Sequence, residues 1–157
     1  MKTILITVGE THKRWAAQGE KEYLERLNHY IDFEKISTRD IRNTKKLSEE
    51  QQKQIEGKDI LGRLQPADIV ALLDEHGKTM TSREFSKELQ GYMNRGTKRL
   101  IFVIGGPYGF SKEVYDRADA LYSFSNLTFP HDLIRVIFLE QLYRAHTILR
   151  NEPYHHD

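Results

Sequence analysis

A chain of 157 residues that is 38% apolar and 30% charged is of single-domain size and well supplied with aromatic and branched side chains, which excludes a disordered protein. With no cysteine it has no disulfide framework and no thiolate site, and the composition suits a reducing compartment, the cytoplasm. Twenty-four Lys and Arg against 23 Asp and Glu leave a net charge of +1, which excludes a broadly basic nucleic-acid coat and confines any RNA contact to a local patch.

Thr3 to Val8 (TILITV) reads as a buried strand, and the run from Met1 has no small-residue cleavage site. Lys13 to Tyr30 carries Trp15, Ala16, Tyr23, Leu24, Leu27 and Tyr30 at roughly helical spacing. Phe33 to Ser37 is a short second strand, and the charged and amide residues that follow make Ser48 to Leu64 a solvated helix at best. Ile69 to Leu73 (IVALL) is a continuous apolar run, as expected for a strand covered on both faces, and Thr81 or Ser82 caps a helix that runs to Asn94. Leu100 to Ile104 (LIFVI) is a strand that ends in Gly105-Gly106-Pro107-Tyr108-Gly109, and Ser111 caps a short helix. Leu121 to Phe124 is one more strand, and Pro130 can occupy the first turn of a last helix that runs to about Arg150. No stretch approaches the ~20 apolar residues of a membrane span. Strands alternate with helices throughout, so the expected fold is one α/β domain over residues 1–157, a mostly parallel sheet with helices on both faces. Ligands of such sheets bind beyond the carboxyl ends of the strands, which directs attention to the loops after Leu73, Ile104 and Phe124.

Each of these loops is suggestive and none is decisive alone. Ile104 stands where a dinucleotide fingerprint needs its first glycine, and no Gly-Lys-Ser/Thr follows to make a Walker loop. Phe124-Ser125-Asn126-Leu127-Thr128-Phe129 mixes small hydrogen-bonding groups with apolar ones, a composition that can serve a purine edge and cover its faces, or simply begin a helix. In the last helix Leu133, Ile134, Val136, Ile137, Phe138, Leu139 and Leu142 surround much of the circumference, so the helix belongs in a core or an interface. Arg135 lies inside that run; an ion pair with Asp132 or with a carboxylate of a partner chain, and a catalytic role, both fit it. Glu140 and Arg144 are most simply an i,i+4 surface pair. Tyr154-His155-His156-Asp157 lies at the end of the chain, where disorder is the default. No HExxH, cysteine cluster or well-spaced histidine set suggests a metal.

The segments ILITVG, LLDEHGK, FVIGGPYG, FSNLTFPHDLIRVIFLEQLYRA and PYH, in this order and spanning the whole chain, together resemble the RlmH-type pseudouridine N3-methyltransferases of the bacterial large ribosomal subunit, enzymes of the SPOUT class. The resemblance implies an α/β fold with a C-terminal trefoil knot, working as a homodimer. It implies S-adenosylmethionine as co-substrate, held by Leu73, Gly105 and the loop Phe124, Ser125, Asn126, Leu127, Thr128 and Phe129, with no metal. The implied target is a pseudouridine of 23S rRNA in the assembled ribosome, with Tyr154 and His155 on the RNA side of the pocket. Relatives often carry Arg or Lys where this chain has His156. Arg135, Arg144, Arg150, His155 and His156, partly contributed by the second subunit, are the expected RNA grip, with the segment after Pro153 folded over the cofactor mouth. Two rival readings remain: a non-catalytic ribosome-binding protein, which would not take up S-adenosylmethionine, and a flavodoxin-like oxidoreductase, against which the failed dinucleotide fingerprint counts.

Overall fold

The computed structural model describes residues 1–157. Its centre is a five-stranded sheet of β1 (Lys2–Thr7), β2 (Phe33–Ser37), β3 (Ile69–Thr79), β4 (Arg99–Ile104) and β5 (Ala120–Ser123) in the order β2-β1-β4-β3-β5. Every pairing is parallel, so the expectation of a mostly parallel sheet is met by one that is wholly so. Parallel neighbours need crossovers, and the helices α1 (Arg14–Asn28), α2 (Glu49–Gly62), α3 (Ser82–Asn94) and α4 (Lys112–Arg117) supply them, while α5 (His131–Leu149) follows the last strand.

Alternation along the strands sorts the core into two layers. Leu100, Phe102 and Ile104 of β4 face the side covered by α1, α3 and α5, where they meet Leu27, Phe85, Leu89, Phe138 and Leu142. Ile101 and Val103 face the other side with Ile60 of α2 and Val114 of α4. Helices therefore cover both faces, as the continuous apolar strands require.

Four local readings are corrected. Ser48 to Leu64 is no marginal helix: Ser48 and Gln51 form a reciprocal capping box, and α2 buries Gln52, Glu56, Gly57 and Ile60. The buried positions are mostly polar, so no apolar period marks them. β3 continues past Leu73 to Thr79 through an irregularity between Leu73 and Lys78, because β5 pairs with both of its halves. Trp15, counted with the apolar face of α1, is 54% exposed. Pro130 is the N-cap of α5 rather than part of its first turn.

Thr81 and Ser111 cap α3 and α4 as anticipated, each accepting from the backbone N–H three residues on. No helix is long and apolar enough to cross a membrane.

Candidate functional site

A cavity of about 490 Å³ opens beyond the carboxyl ends of β3, β4 and β5, where an open parallel sheet places its ligands. Leu73, Gly105 and the whole loop Phe124–Phe129 line it together. The residues that the resemblance implied thus come from three separate loops that one concavity unites. Within it Leu127 is 73% exposed, an apolar side chain held out at the rim, while Phe124 packs edge-on against Phe85 and Phe138 and anchors the start of the loop.

The glycine turn forms one wall, and its shape follows from what lies behind it. Gly109 has φ +81°, and Gly106 and Gly109 form an isolated antiparallel bridge. A Cβ on Gly106 would stand 2.6 Å from Oε2 of Glu56, a buried carboxyl of α2. A Cβ on Gly105 would stand 3.0 Å from the ring of buried Phe110. A side chain at either glycine would therefore press on the packing beneath the turn as well as on any ligand above it. Burial pushes the Glu56 carboxyl up from its ordinary range.

Three lining groups were not singled out from the sequence. The Tyr115 hydroxyl donates to Asp74 across the cavity wall; burial, then that carboxylate, pushes the phenol up to about 12, so it remains a donor at any ordinary pH. His131, in the first turn of α5, has its imidazole held below the usual value by burial and then by the charge of Arg135, which favours the neutral ring. Asp74 lay within the quoted LLDEHGK stretch and His131 within the FPHDL stretch, but nothing local distinguishes them from a turn carboxylate and a helix-start histidine.

Arg135, Tyr154 and His155 do not line the cavity. Arg135 is 2% exposed and points away, donating to the Val8 carbonyl at 2.6 Å and to Thr11 Oγ1 at 2.8 Å. The expected pair with Asp132 is not made; Asp132 instead accepts from the Lys13 backbone N–H. Thr11 donates in turn to Glu20, which Lys35 holds at 2.5 Å. Arg135 thus enters a buried network that fixes the loop after β1.

The last residues are ordered on α5 rather than over the cavity mouth. Tyr154 packs edge-on against Tyr143 at 4.8 Å and donates to Glu140. His155 Nδ1 lies 3.3 Å from Arg144, and Arg83 of α3 grips Asp157. The expected grip of Arg135, Arg144, Arg150, His155 and His156 is not a free basic patch. Arg144 is paired with Glu140, as its spacing predicted, and Arg150 stacks over the Tyr30 ring and donates to its carbonyl.

The chain matches the family model described as "Predicted SPOUT methyltransferase" over residues 1–155. It belongs to the SPOUT methyltransferase family. Among its relatives, the ribosomal RNA large subunit methyltransferase H of Christiangramia forsetii is 55% identical over 152 residues, covering 97% of each chain. The proteins of that name from Parabacteroides distasonis and Porphyromonas gingivalis strain ATCC 33277 are 53% and 51% identical, each with complete coverage of both chains. A solved structure described as a "probable methylase family protein" of Haemophilus influenzae shares the fold, with TM-score 0.52 at 11% identity over 99% of this chain and 70% of that one.

Proposed function

We propose that this protein is an S-adenosylmethionine-dependent methyltransferase acting on N3 of a pseudouridine in 23S rRNA of the assembled ribosome, in the cytoplasm. The observation that carries the reading is full-length identity of about half to ribosomal RNA large subunit methyltransferases H. The cavity fits the co-substrate. Its volume of about 490 Å³ lies within the ~300 to 1,000 Å³ of small-molecule sites, and its lining alternates apolar cover with backbone donors and acceptors. Leu73, Gly105 and Phe124 to Phe129 would hold the adenosine and amino-acid parts. When bound, the sulfonium supplies an electrophilic methyl group.

The chain's own contribution is placement. The glycine turn, set on Glu56 and Phe110, and the anchored loop after β5 define where a ligand can lie, and well-oriented reactants gain effective molarities on the order of 10⁵ M or more. N3 is an imide nitrogen whose proton is weakly acidic, so orientation and exclusion of water matter more than a strong base.

The reading includes a homodimer. Leu133, Val136 and Ile137 of α5 remain half-exposed and form a face that a second copy would cover. Tyr154 and His155 dock on the same helix, beside that face, so the tail of one copy would serve the RNA side of its partner's pocket. It also includes the C-terminal knot. In support, β5 runs against both halves of β3, and Gly77 crosses so near the Leu121–Tyr122 backbone that a Cβ there would lie 2.5 Å from the Tyr122 nitrogen.

The test is transfer of labelled methyl to ribosomes from a strain lacking this protein, with mass analysis of the 23S rRNA. One added methyl on pseudouridine is the expected result. Cofactor uptake without transfer would reduce the protein to a binding module.

A further inference from the structure

A group of exposed cations without ion-pair partners is gathered in two loops at one edge of the sheet. The loop after β1 and the loop after β2 are tied to each other: Gly9 N–H donates to Thr38 Oγ1 at 3.0 Å, Glu10 N–H donates to Asp40 at 3.3 Å, and His12 lies 3.5 Å from Asp40. Across residues 9–14 and 38–46 stand Lys13, Arg14, Arg39, Arg42, Lys45 and Lys46, all exposed, against the carboxylates Glu10 and Asp40. None of the six cations enters an ion pair. The chain as a whole is only +1, so everything outside these two loops is net acidic.

Beside them stands Trp15, the only tryptophan, 54% exposed at the start of α1. An indole face next to unpaired guanidinium and ammonium groups is the combination that takes up single-stranded nucleic acid, with cations following phosphates and the ring stacking on a base. The loops also adjoin the cavity. The Lys13 backbone N–H bonds Asp132 in the α5 turn that sends His131 and Ile134 into the cavity, and the Val8 N–H bonds the Ile104 carbonyl where the glycine turn begins.

We infer that residues 9–15 and 38–46 form the RNA docking surface, with Lys13, Arg14, Arg39, Arg42, Lys45 and Lys46 on the phosphate backbone and Trp15 under an unpaired base. This rests on the rRNA methyltransferase reading and places the RNA grip away from the tail, where the arginines are already engaged.

The experiment uses the full-length protein, isolated ribosomes lacking the modification and a 23S rRNA stem-loop as probes, and affinity measured across a KCl series. Replacing Arg42, Lys45 and Lys46 together by Ala should lower the slope of log affinity against log salt by about 2 to 3, the loss of three phosphate contacts. S-adenosylmethionine affinity, read by calorimetry, should not move. Trp15→Ala should weaken binding roughly tenfold or more with the slope unchanged, since stacking carries no charge. An unaltered slope and affinity in the triple variant, beside a wild type that methylates ribosomes, overturns the docking surface and leaves the enzyme reading intact. A wild type that methylates no rRNA overturns the enzyme reading, and the stem-loop slopes then decide the docking surface by themselves. A monomeric Trp15→Ala protein, beside a dimeric wild type, would move Trp15 from the RNA to the contact between copies and overturn its stacking role.

Discussion

Gly105 illustrates how one residue can answer to two neighbours. From sequence, added bulk there would block a ligand, at little expense to the fold if φ were ordinary. The packing bears on the second half: a Cβ would press on the Phe110 ring at 3.0 Å, and Phe110 is 5% exposed. Gly105→Val should therefore abolish cofactor binding and also cost about 1 to 3 kcal/mol of stability, the range for overpacking a close-packed site. Calorimetry with S-adenosylmethionine and a denaturant titration read the two effects separately; undiminished affinity in a folded variant would remove Gly105 from the pocket. Arg135 was half legible. Its place in an apolar run revealed that it must be paired, but its partners, the Val8 carbonyl and Thr11, lie more than a hundred residues earlier, and no local spacing can point to them.

Among the elements, β3 and α5 carry the tightest constraints. Gly77→Ala puts a methyl group 2.5 Å from the Tyr122 nitrogen and 2.6 Å from the Leu121 carbonyl carbon, and neither backbone can give way without breaking the pairing of β3 with β5. The expected loss is about 3 kcal/mol or more, read as a fall in the urea midpoint. In α5, His146 is 5% exposed, its Nε2 has no partner, and burial, then the charge of Arg150, hold the imidazole down to about 4 against an ordinary 6.5. Between those values the unfolded chain takes up a proton that the folded chain refuses. Stability is thus fully present above about 6.5 and declines as pH falls toward about 4, by about 3 kcal/mol in total at 1.36 kcal/mol per unit. Urea titrations across that window should follow this slope in the wild type and flatten it in His146→Leu. Strands and capped helices were readable because continuous apolar runs and cap residues are local signals. The course of β3 beyond Leu73 was not, since Asp74, Glu75 and His76 are polar and only the pairing of Lys78 and Thr79 with β5, more than forty residues away, extends the strand.

For the whole molecule, the cavity was legible and the RNA side was not. Three loops at strand ends converge because topology places all carboxyl ends of a parallel sheet on one rim, which can be foreseen from the order of elements. Which cations remain free depends on who pairs with whom, and that emerges only on folding: Arg144 and Arg150 are engaged, while Arg42, Lys45 and Lys46 are not. The tail gives a direct test of assembly. Removing Tyr154 to Asp157 takes away an edge-on ring on Tyr143 and the grip on Arg83 but nothing that lines the cavity. Cofactor affinity and dimer mass should survive while methyl transfer is lost; full turnover would free the tail of any part in the reaction, and lost cofactor binding would make it a lid.

The first turn of α5 is held in common. It sends His131 and Ile134 into the cavity, while Asp132 and Arg135 fasten the loop after β1. A shift of that turn by either ligand is felt by the other, and thermodynamic reciprocity fixes the bargain: whatever factor the methyl donor lends to RNA affinity, RNA must return to the donor. Measured both ways, the two factors should agree, and a demethylated product that draws the turn differently would loosen the finished rRNA by the same route, giving the enzyme an order of release as well as a place to bind.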